Sequence, residues 1–250
     1  MSNHAKKTIW IFGDQLNLGI SSLQGQIPGE CRILMVESFQ KIESKNWHAQ
    51  RQHVVISAMM HFAEELREKG FEVDYLLAAS FKKGLERHCQ NNAVTEVSAM
   101  EPSSWKCREF LEKNGIRIVP NNQFICSYSE FAEWSKSRKQ LRLEDFYRWQ
   151  RKRLAVLMSD GDPAGGRWNF DSDNREPPPK DGRVWPSPVK FPLDTTDELV
   201  LSRLSDGWGK YPEGIWPVTR AQALVRLQEF IDTGLPQFGT YEDAMLASEW

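Results

Sequence analysis

Five short runs with the character of strands, the first two of them apolar, are separated by segments with helical spacing and organise the first 120 residues of the chain. The runs are 8–12, 32–36, 72–78, 96–100 and 116–119. Apolar runs without polar alternation are typical of strands that are buried on both faces, as in parallel sheets. The clearest helical spacing between runs is that of Val55, Ala58, Met59, Phe62 and Leu66. Strands that alternate with helices predict an α/β fold over residues 1–125, with a doubly wound, Rossmann-like, five-stranded parallel sheet.

Polar residues follow several of these runs directly. Gly13 ends the first run and lets the backbone turn sharply, and the second and fourth runs end in acids. Ligands of open parallel sheets bind outside the carboxyl ends of the strands, near the point where the connections change direction. A ligand site at this edge is therefore one interpretation, and an ordinary strand-to-helix turn with a polar tip is the other. The residues concerned are Gly13, Asp14, Gln15, Leu16, Glu37 and Glu101.

From about residue 126 to 170 the pattern becomes helical. Ser127 and Glu130 have the spacing of a capping box, and a later helix carries a stripe of apolar residues. Eight basic residues and two acidic residues lie between Lys136 and Arg153. This excess is typical of a surface beside a phosphate backbone, with Arg148, Arg151 and Lys152 as candidate DNA contacts. The alternative is a solvated helix face or an interdomain salt-bridge surface.

A connector rich in proline occupies residues 171–194, which hold six of the thirteen prolines. Such a composition indicates a semi-rigid linker between two bodies. Residues 195–250 are helical in pattern, with a cap at Thr219 and an expected helix end at Gly234. Because these helices cannot bury a core by themselves, we expect them to begin a helical domain that is otherwise absent.

Composition narrows the class of protein. The chain has 250 residues, 40% apolar and 26% charged, with a net charge of −2, as in soluble globular proteins. We expect no membrane association, no signal peptide, a cytoplasmic location and a monomer. The four cysteines are too widely spaced for any C-x-x-C pair, so we expect no metal site. Neither G-x-G-x-x-G nor a P-loop is present, and we assign no catalytic residue.

Six motifs, in this order, resemble the photolyase-related branch of the cryptochrome/photolyase family, which contains iron–sulfur bacterial cryptochromes and prokaryotic (6-4) photolyases. The resemblance covers essentially the whole chain but only about half of a typical member. The stretch from Gly165 to Asp171 is its most specific part. The motifs are Gly13-Asp14-Gln15-Leu16, residues 57–66, Glu101-Pro102-x-x-Trp105, Phe146-Tyr147-Arg148, residues 165–171, and Phe238-Gly239 with Asp243-Ala244-Met245.

The resemblance implies that the α/β domain holds an antenna chromophore, usually a ribityl-lumazine. It places that chromophore among the edge residues given above, over an apolar floor that includes Val55, with Trp105 able to stack on the ring. It also implies that FAD and a [4Fe–4S] cluster belong to the helical half of the full-length protein, and not to this chain. Lys41 and the segment 47–51 depart from the family's basic loop, which suggests a different or weakly held chromophore.

The function implied is that of the antenna half of a DNA photolyase-related flavoprotein, which repairs pyrimidine photoproducts, including (6-4) products, with light. Two alternatives stay open. One is a cryptochrome-type blue-light photoreceptor without repair activity. The other is a stand-alone α/β module that binds a flavin-like or nucleotide ligand.

Overall fold

A computed structural model describes residues 5–182, 187–204 and 208–242. The chain divides into two compact units. Unit 1 comprises the residues up to Ile125 together with Pro188–Arg226, and unit 2 comprises Cys126–Ser187 together with the residues from Leu227 onward. The predicted boundary at 125 coincides with the limit of unit 1. The predicted helical segment 195–250 is divided between the units, with its described residues up to Arg226 in unit 1 and those from Leu227 in unit 2.

The predicted α/β fold is confirmed. Unit 1 contains a five-stranded sheet in the order β3-β2-β1-β4-β5, and all its strands are parallel. The first strand therefore lies at the centre, and the chain changes direction between β1 and β4. The strands are β1 (Lys6–Trp10), β2 (Cys31–Ser38), β3 (Glu72–Ala78), β4 (Val94–Met100) and β5 (Arg117–Val119).

Most helices occupy the predicted intervals, but α1 and the start of α2 lie in the segment 38–51, which the polar sequence suggests as a loop; serine side chains cap several N-termini. A short antiparallel pair, β6 (Met158–Ser159) and β7 (Asp162–Pro163), lies in unit 2. Within the described residues, no helix combines the length and the apolar character that crossing a membrane requires. The α-helices are α1 (Phe39–Ile42), α2 (Ala49–Glu68), α3 (Phe81–Asn91), α4 (Trp105–Lys113), α5 (Tyr128–Ser135), α6 (Leu143–Leu154), α7 (Thr195–Arg203), α8 (Arg220–Glu229) and α9 (Leu235–Tyr241).

Alternate residues from Ile9 to Phe12, at the end of β1 and just after it, supply the two cores on opposite faces of the sheet. Ile9 and Ile11 pack in one core with Met59, Phe62 and Leu66 of α2. Trp10 and Phe12 pack in the other core, together with apolar residues of α3 and α4. Helices therefore cover both faces, which explains why apolar residues of the central strand are buried on both sides.

A buried polar chain fixes α3 to the sheet. Thr8 Oγ1 lies 2.8 Å from His88 Nε2, and His88 Nδ1 lies 2.7 Å from Asp74 Oδ2. The hydrogen bond to His88 lowers the pKa of Asp74 below its usual value. Although the order Thr–His–Asp is that of a nucleophile triad, Thr8 and His88 are completely buried. Because no substrate can reach the Thr8 hydroxyl, this row of hydrogen-bonded side chains has a structural role.

The helix predicted to end at Gly234 continues past it. Residues Phe230–Gly234 form a π-helical turn that leads directly into α9. The reason is the backbone of Gly234, whose φ of −88° and ψ of −51° are right-handed and not the left-handed values of a C-terminal cap. The motif residues Asp243, Ala244 and Met245 lie outside the described residues, as do parts of the predicted linker and of the segment 195–250.

Candidate functional site

A cavity of about 350 Å³ lies in unit 1, at the carboxyl ends of β1 and β2. Its position matches the edge that the sequence pattern indicates. The apolar part of its wall comes from both core faces and from α2, and includes Phe12, Val55, Met59 and Phe81. A volume of this size and a mainly apolar lining are typical of pockets for small organic ligands.

Glu37 forms the acidic part of the wall. It is 5% exposed, and its Oε2 accepts a hydrogen bond of 3.0 Å from the Tyr75 hydroxyl. Burial and the adjacent Glu37 raise the pKa of Tyr75 above its usual value, so the phenol stays protonated and keeps donating. Arg203 of α7 approaches the same oxygen at 3.8 Å. Glu37 is therefore held in place from two directions.

A tryptophan surrounded by cations forms the opposite part of the wall. The guanidinium of Arg51 lies 4.4 Å from the centroid of the Trp47 ring, and the ammonium groups of Lys45 and Lys41 lie at 5.3 and 5.9 Å. Trp47, Lys41 and Arg51 all line the cavity. Lys41 and the segment 47–51, which depart from the family pattern, thus supply an aromatic and positively charged surface to the cavity.

Gly13 and Asp14 line the cavity at the end of β1. A Cβ atom on Gly13 would lie 3.0 Å from Met59 Sδ and 3.2 Å from Val55 Cγ1, so a side chain here would press on α2. Asp14 is exposed, and its Oδ2 accepts a hydrogen bond of 3.1 Å from the Ser103 hydroxyl. Both residues therefore belong to the wall of the cavity.

The other edge residues lie outside the cavity. Gln15 is fully buried, donates to the Met100 carbonyl at 3.1 Å and accepts from the Phe12 N–H at 3.4 Å, so its amide joins β1 to β4. Leu16 packs against the core that α2 covers. Glu101 is paired with Arg108, and Trp105 is exposed at the start of α4.

The one thiol on the cavity wall is unsuited to nucleophilic chemistry. Burial, assisted by the nearby Asp14, raises the pKa of Cys107 to about 11. The thiol is therefore protonated at neutral pH, whereas the thiolate is the nucleophile.

The arrangement can bind a planar, polar molecule between an apolar floor and charged walls, and its described residues supply no activated nucleophile.

Sequence reasoning did not identify several residues of this site. Met59 and Phe81 appear in the sequence as ordinary core positions, although both line the cavity. Tyr75 lies within a strand, and Arg203 lies far along the chain. Only the three-dimensional fold brings these last two side chains to Glu37.

Unit 2 carries the predicted basic surface, with one correction. Arg148 and Lys152 lie on the surface of α6, and Arg148 pairs with Glu144 at 2.8 Å. Arg151 is only 6% exposed and donates to the Tyr147 hydroxyl and to backbone carbonyls, including that of Trp168. Its guanidinium is already engaged inside the unit and is not available to a phosphate.

Comparison with known proteins finds one matching family, described as deoxyribodipyrimidine photo-lyase-related protein, over residues 9–215. A (6-4) photolyase of Agrobacterium fabrum is 34% identical over 256 aligned positions, which cover 96% of this chain and 50% of that protein. An uncharacterized protein, R852, of Acanthamoeba polyphaga mimivirus is 24% identical over 48% of this chain and 67% of its own length. The chain thus spans half the length of the photolyase that it matches.

Proposed function

The chain belongs to the deoxyribodipyrimidine photo-lyase-related protein family, and we propose that unit 1 binds an antenna chromophore of the ribityl-lumazine type for light-driven repair of pyrimidine photoproducts. The observation that carries the proposal is the cavity at the carboxyl ends of β1 and β2. It combines an apolar floor with two acids and an aromatic, cationic wall. Repair itself is proposed for the protein with its flavin-binding half.

The chemistry of the lining supports a lumazine. Such a ligand offers a flat ring, carbonyl and ring-nitrogen acceptors, and a chain of hydroxyl groups. Ionised Glu37 and Asp14 accept hydrogen bonds, which suits hydroxyl and N–H donors, while Lys41 and Arg51 donate to carbonyl oxygens. Trp47 and Phe12 can pack against the ring. The bound chromophore would supply light absorption and energy transfer, and the chain would supply position and exclusion of water.

The cysteines do not fit an iron–sulfur cluster in this part of the protein. Cys31 is buried in β2, Cys89 is exposed on α3, Cys107 lies on α4 and Cys126 precedes α5. None of them joins a group of potential metal ligands in the described part of the chain. As the resemblance implies, we propose FAD and a [4Fe–4S] cluster for full-length relatives only.

Fluorescence titration with 6,7-dimethyl-8-ribityllumazine tests the antenna proposal. Glu37→Gln removes the acceptor charge, and we expect it to weaken binding by about tenfold or more, since a hydrogen bond to a charged group contributes about 1.5–3 kcal/mol. Val55→Trp places a large ring at the cavity wall, and we expect it to reduce lumazine binding more than Glu37→Gln does. Glu43→Gln, on the exposed end of α1 outside the cavity lining, is the matched control.

Two results would contradict the proposal. One is a parent chain that binds no lumazine at concentrations where its circular dichroism shows a folded sheet. The other is lumazine binding that neither Glu37→Gln nor Val55→Trp weakens relative to Glu43→Gln.

We further propose that the exposed basic face of α6 contacts the DNA backbone. Arg148→Glu combined with Lys152→Glu should weaken binding to a short duplex by about tenfold or more and reduce the salt slope by about two, because each phosphate contact releases a counterion. The control is Lys82→Glu combined with Lys83→Glu, at exposed positions of α3, which gives the same change in net charge. Fluorescence anisotropy at several salt concentrations distinguishes the pairs. An equal loss in both would show that only net charge matters.

A further inference from the structure

Two histidines of α2 meet two aspartates of α7 within unit 1. His53 Nε2 lies 3.0 Å from Asp197 Oδ1, and His61 Nε2 lies 3.4 Å from Asp194 Oδ2. The ligand atoms of His61, Asp194 and Asp197 all lie within 4.8 Å of one another. This cluster is separate from the residues that line the cavity.

Each aspartate uses one carboxylate oxygen for the helix and directs the other to a histidine. Asp194 is the N-cap of α7, and its Oδ1 accepts from the N–H groups of Thr196 and Asp197. Asp197 Oδ2 accepts a hydrogen bond from the N–H of Asp194, which completes a capping box. The capping bonds therefore fix both carboxylates and leave Asp194 Oδ2 and Asp197 Oδ1 facing α2.

Apart from the 3.0 Å contact of His53 Nε2 with Asp197 Oδ1, the buried polar atoms of the cluster lack hydrogen-bond partners among the described residues. His53 and Asp197 are 1% and 2% exposed. Although they lie close together, Asp197 Oδ1, both ring nitrogens of His53 and Nε2 of His61 have no well-directed hydrogen bond within the described residues. Buried polar atoms without partners are costly and rare in native proteins. A ligand held between the two helices would satisfy Asp197 Oδ1 and His61 Nε2.

The donor types identify the class of ligand. One imidazole nitrogen and two carboxylate oxygens form a set that binds divalent first-row transition metals, and zinc above all takes such mixed ligands. Bonds of about 2.0–2.1 Å in tetrahedral zinc sites place neighbouring ligands about 3.3 Å apart. The separation of 3.4 Å between His61 and Asp194 already has this value. The side chain of Asp194 is half exposed, which leaves a route for the ion and a position for water.

We propose that His61, Asp194 and Asp197 bind one divalent zinc ion, with His53 positioning the carboxylate of Asp197. The ion joins α2 to the segment that returns to unit 1 after residue 187. Its role is structural, because it ties the N-terminus of α7 to α2 beside the buried pair His53 and Asp197. Metal-binding free energy of this kind contributes directly to folding stability.

The full 250-residue chain, treated with chelator and then dialysed, tests the site. We expect one equivalent of Co²⁺ to give visible d–d absorption, one equivalent of Zn²⁺ to displace it, and Zn²⁺ to raise the midpoint of thermal unfolding. Asp194→Asn keeps an N-cap side chain but removes the charge, so α7 should still form. His61→Gln removes the nitrogen ligand. Each variant should weaken Zn²⁺ binding by more than about tenfold.

Glu64→Gln is the matched control, since it removes a carboxylate from an exposed position of α2 near His61. It should bind Zn²⁺ like the parent. The proposal is overturned if the parent takes up less than one equivalent at micromolar Zn²⁺. It is equally overturned if Asp194→Asn and His61→Gln bind Zn²⁺ as tightly as Glu64→Gln, since the ion would then lie elsewhere.

Discussion

Trp10→Ala should destabilise unit 1 by about 3–5 kcal/mol, the range for removing a large aromatic side chain from a core. Trp10 is fully buried in the central strand. Its ring stacks on Phe12 at 5.0 Å and contacts Phe81 and Phe110 edge-on at 6.0 and 5.9 Å. The substitution therefore leaves a cavity at the junction of β1, α3 and α4. Urea unfolding followed by far-ultraviolet circular dichroism measures the effect.

Trp10→Phe is the informative control. The indole N–H of Trp10 is buried and has no hydrogen-bond partner among the described residues. Phenylalanine keeps most of the ring contacts and removes this unsatisfied donor, so we expect a cost below about 1.5 kcal/mol. Equal losses in the two variants would mean that the indole itself is required and that ring packing does not account for the stability.

The sheet could be predicted because its sequence signal is local and strong. Fully apolar runs require burial on both faces, and helices between parallel strands provide it. The structure bears this out at the end of β1, where Ile9 and the following Ile11 enter one core and Trp10 enters the other. The packing of residues up to Arg226 in unit 1 was not predictable in this way, because it depends on contacts between residues far apart in sequence, such as Asp197 and His53.

The candidate site was predictable in position but not in detail. The end of a strand fixes where a residue lies, and Asp14 and Glu37 do line the cavity. A position at the end of a strand does not determine the direction in which the side chain points. Gln15 turns inward, where its amide bonds the backbone N–H of Phe12 and the backbone carbonyl of Met100. Glu101 is withdrawn from the cavity by its ion pair with Arg108.

The basic stretch illustrates the same limit. Helical periodicity places Arg148, Arg151 and Lys152 near one another, and all three cations lie close to the Trp168 ring. Periodicity cannot show that the turn after α6 presents carbonyl groups toward one of them. Ala155 and Leu157 in that turn have positive φ values of 53°. Non-glycine residues adopt such values only when surrounding contacts hold them.

Arg151→Met should therefore destabilise unit 2 by about 2–4 kcal/mol, because charged hydrogen bonds contribute about 1.5–3 kcal/mol and carbonyl groups lose their donors. The guanidinium donates to the Tyr147 hydroxyl at 2.9 Å, to the Trp168 carbonyl at 3.2 Å and to the Leu157 carbonyl. Methionine fills part of the volume but donates nothing. Hydrogen exchange of the amides in α6 and the following turn measures the loss without depending on unit 1.

Arg148→Met is the matched control, because Arg148 lies one turn earlier on α6 and pairs with Glu144 at the surface. An exposed pair of this kind contributes at most about 1 kcal/mol, so exchange should change little. Faster exchange confined to Arg151→Met would show that the arginine holds the positive-φ turn in place. Equal exchange in the two variants would contradict that role, since the turn would then keep its conformation without the guanidinium.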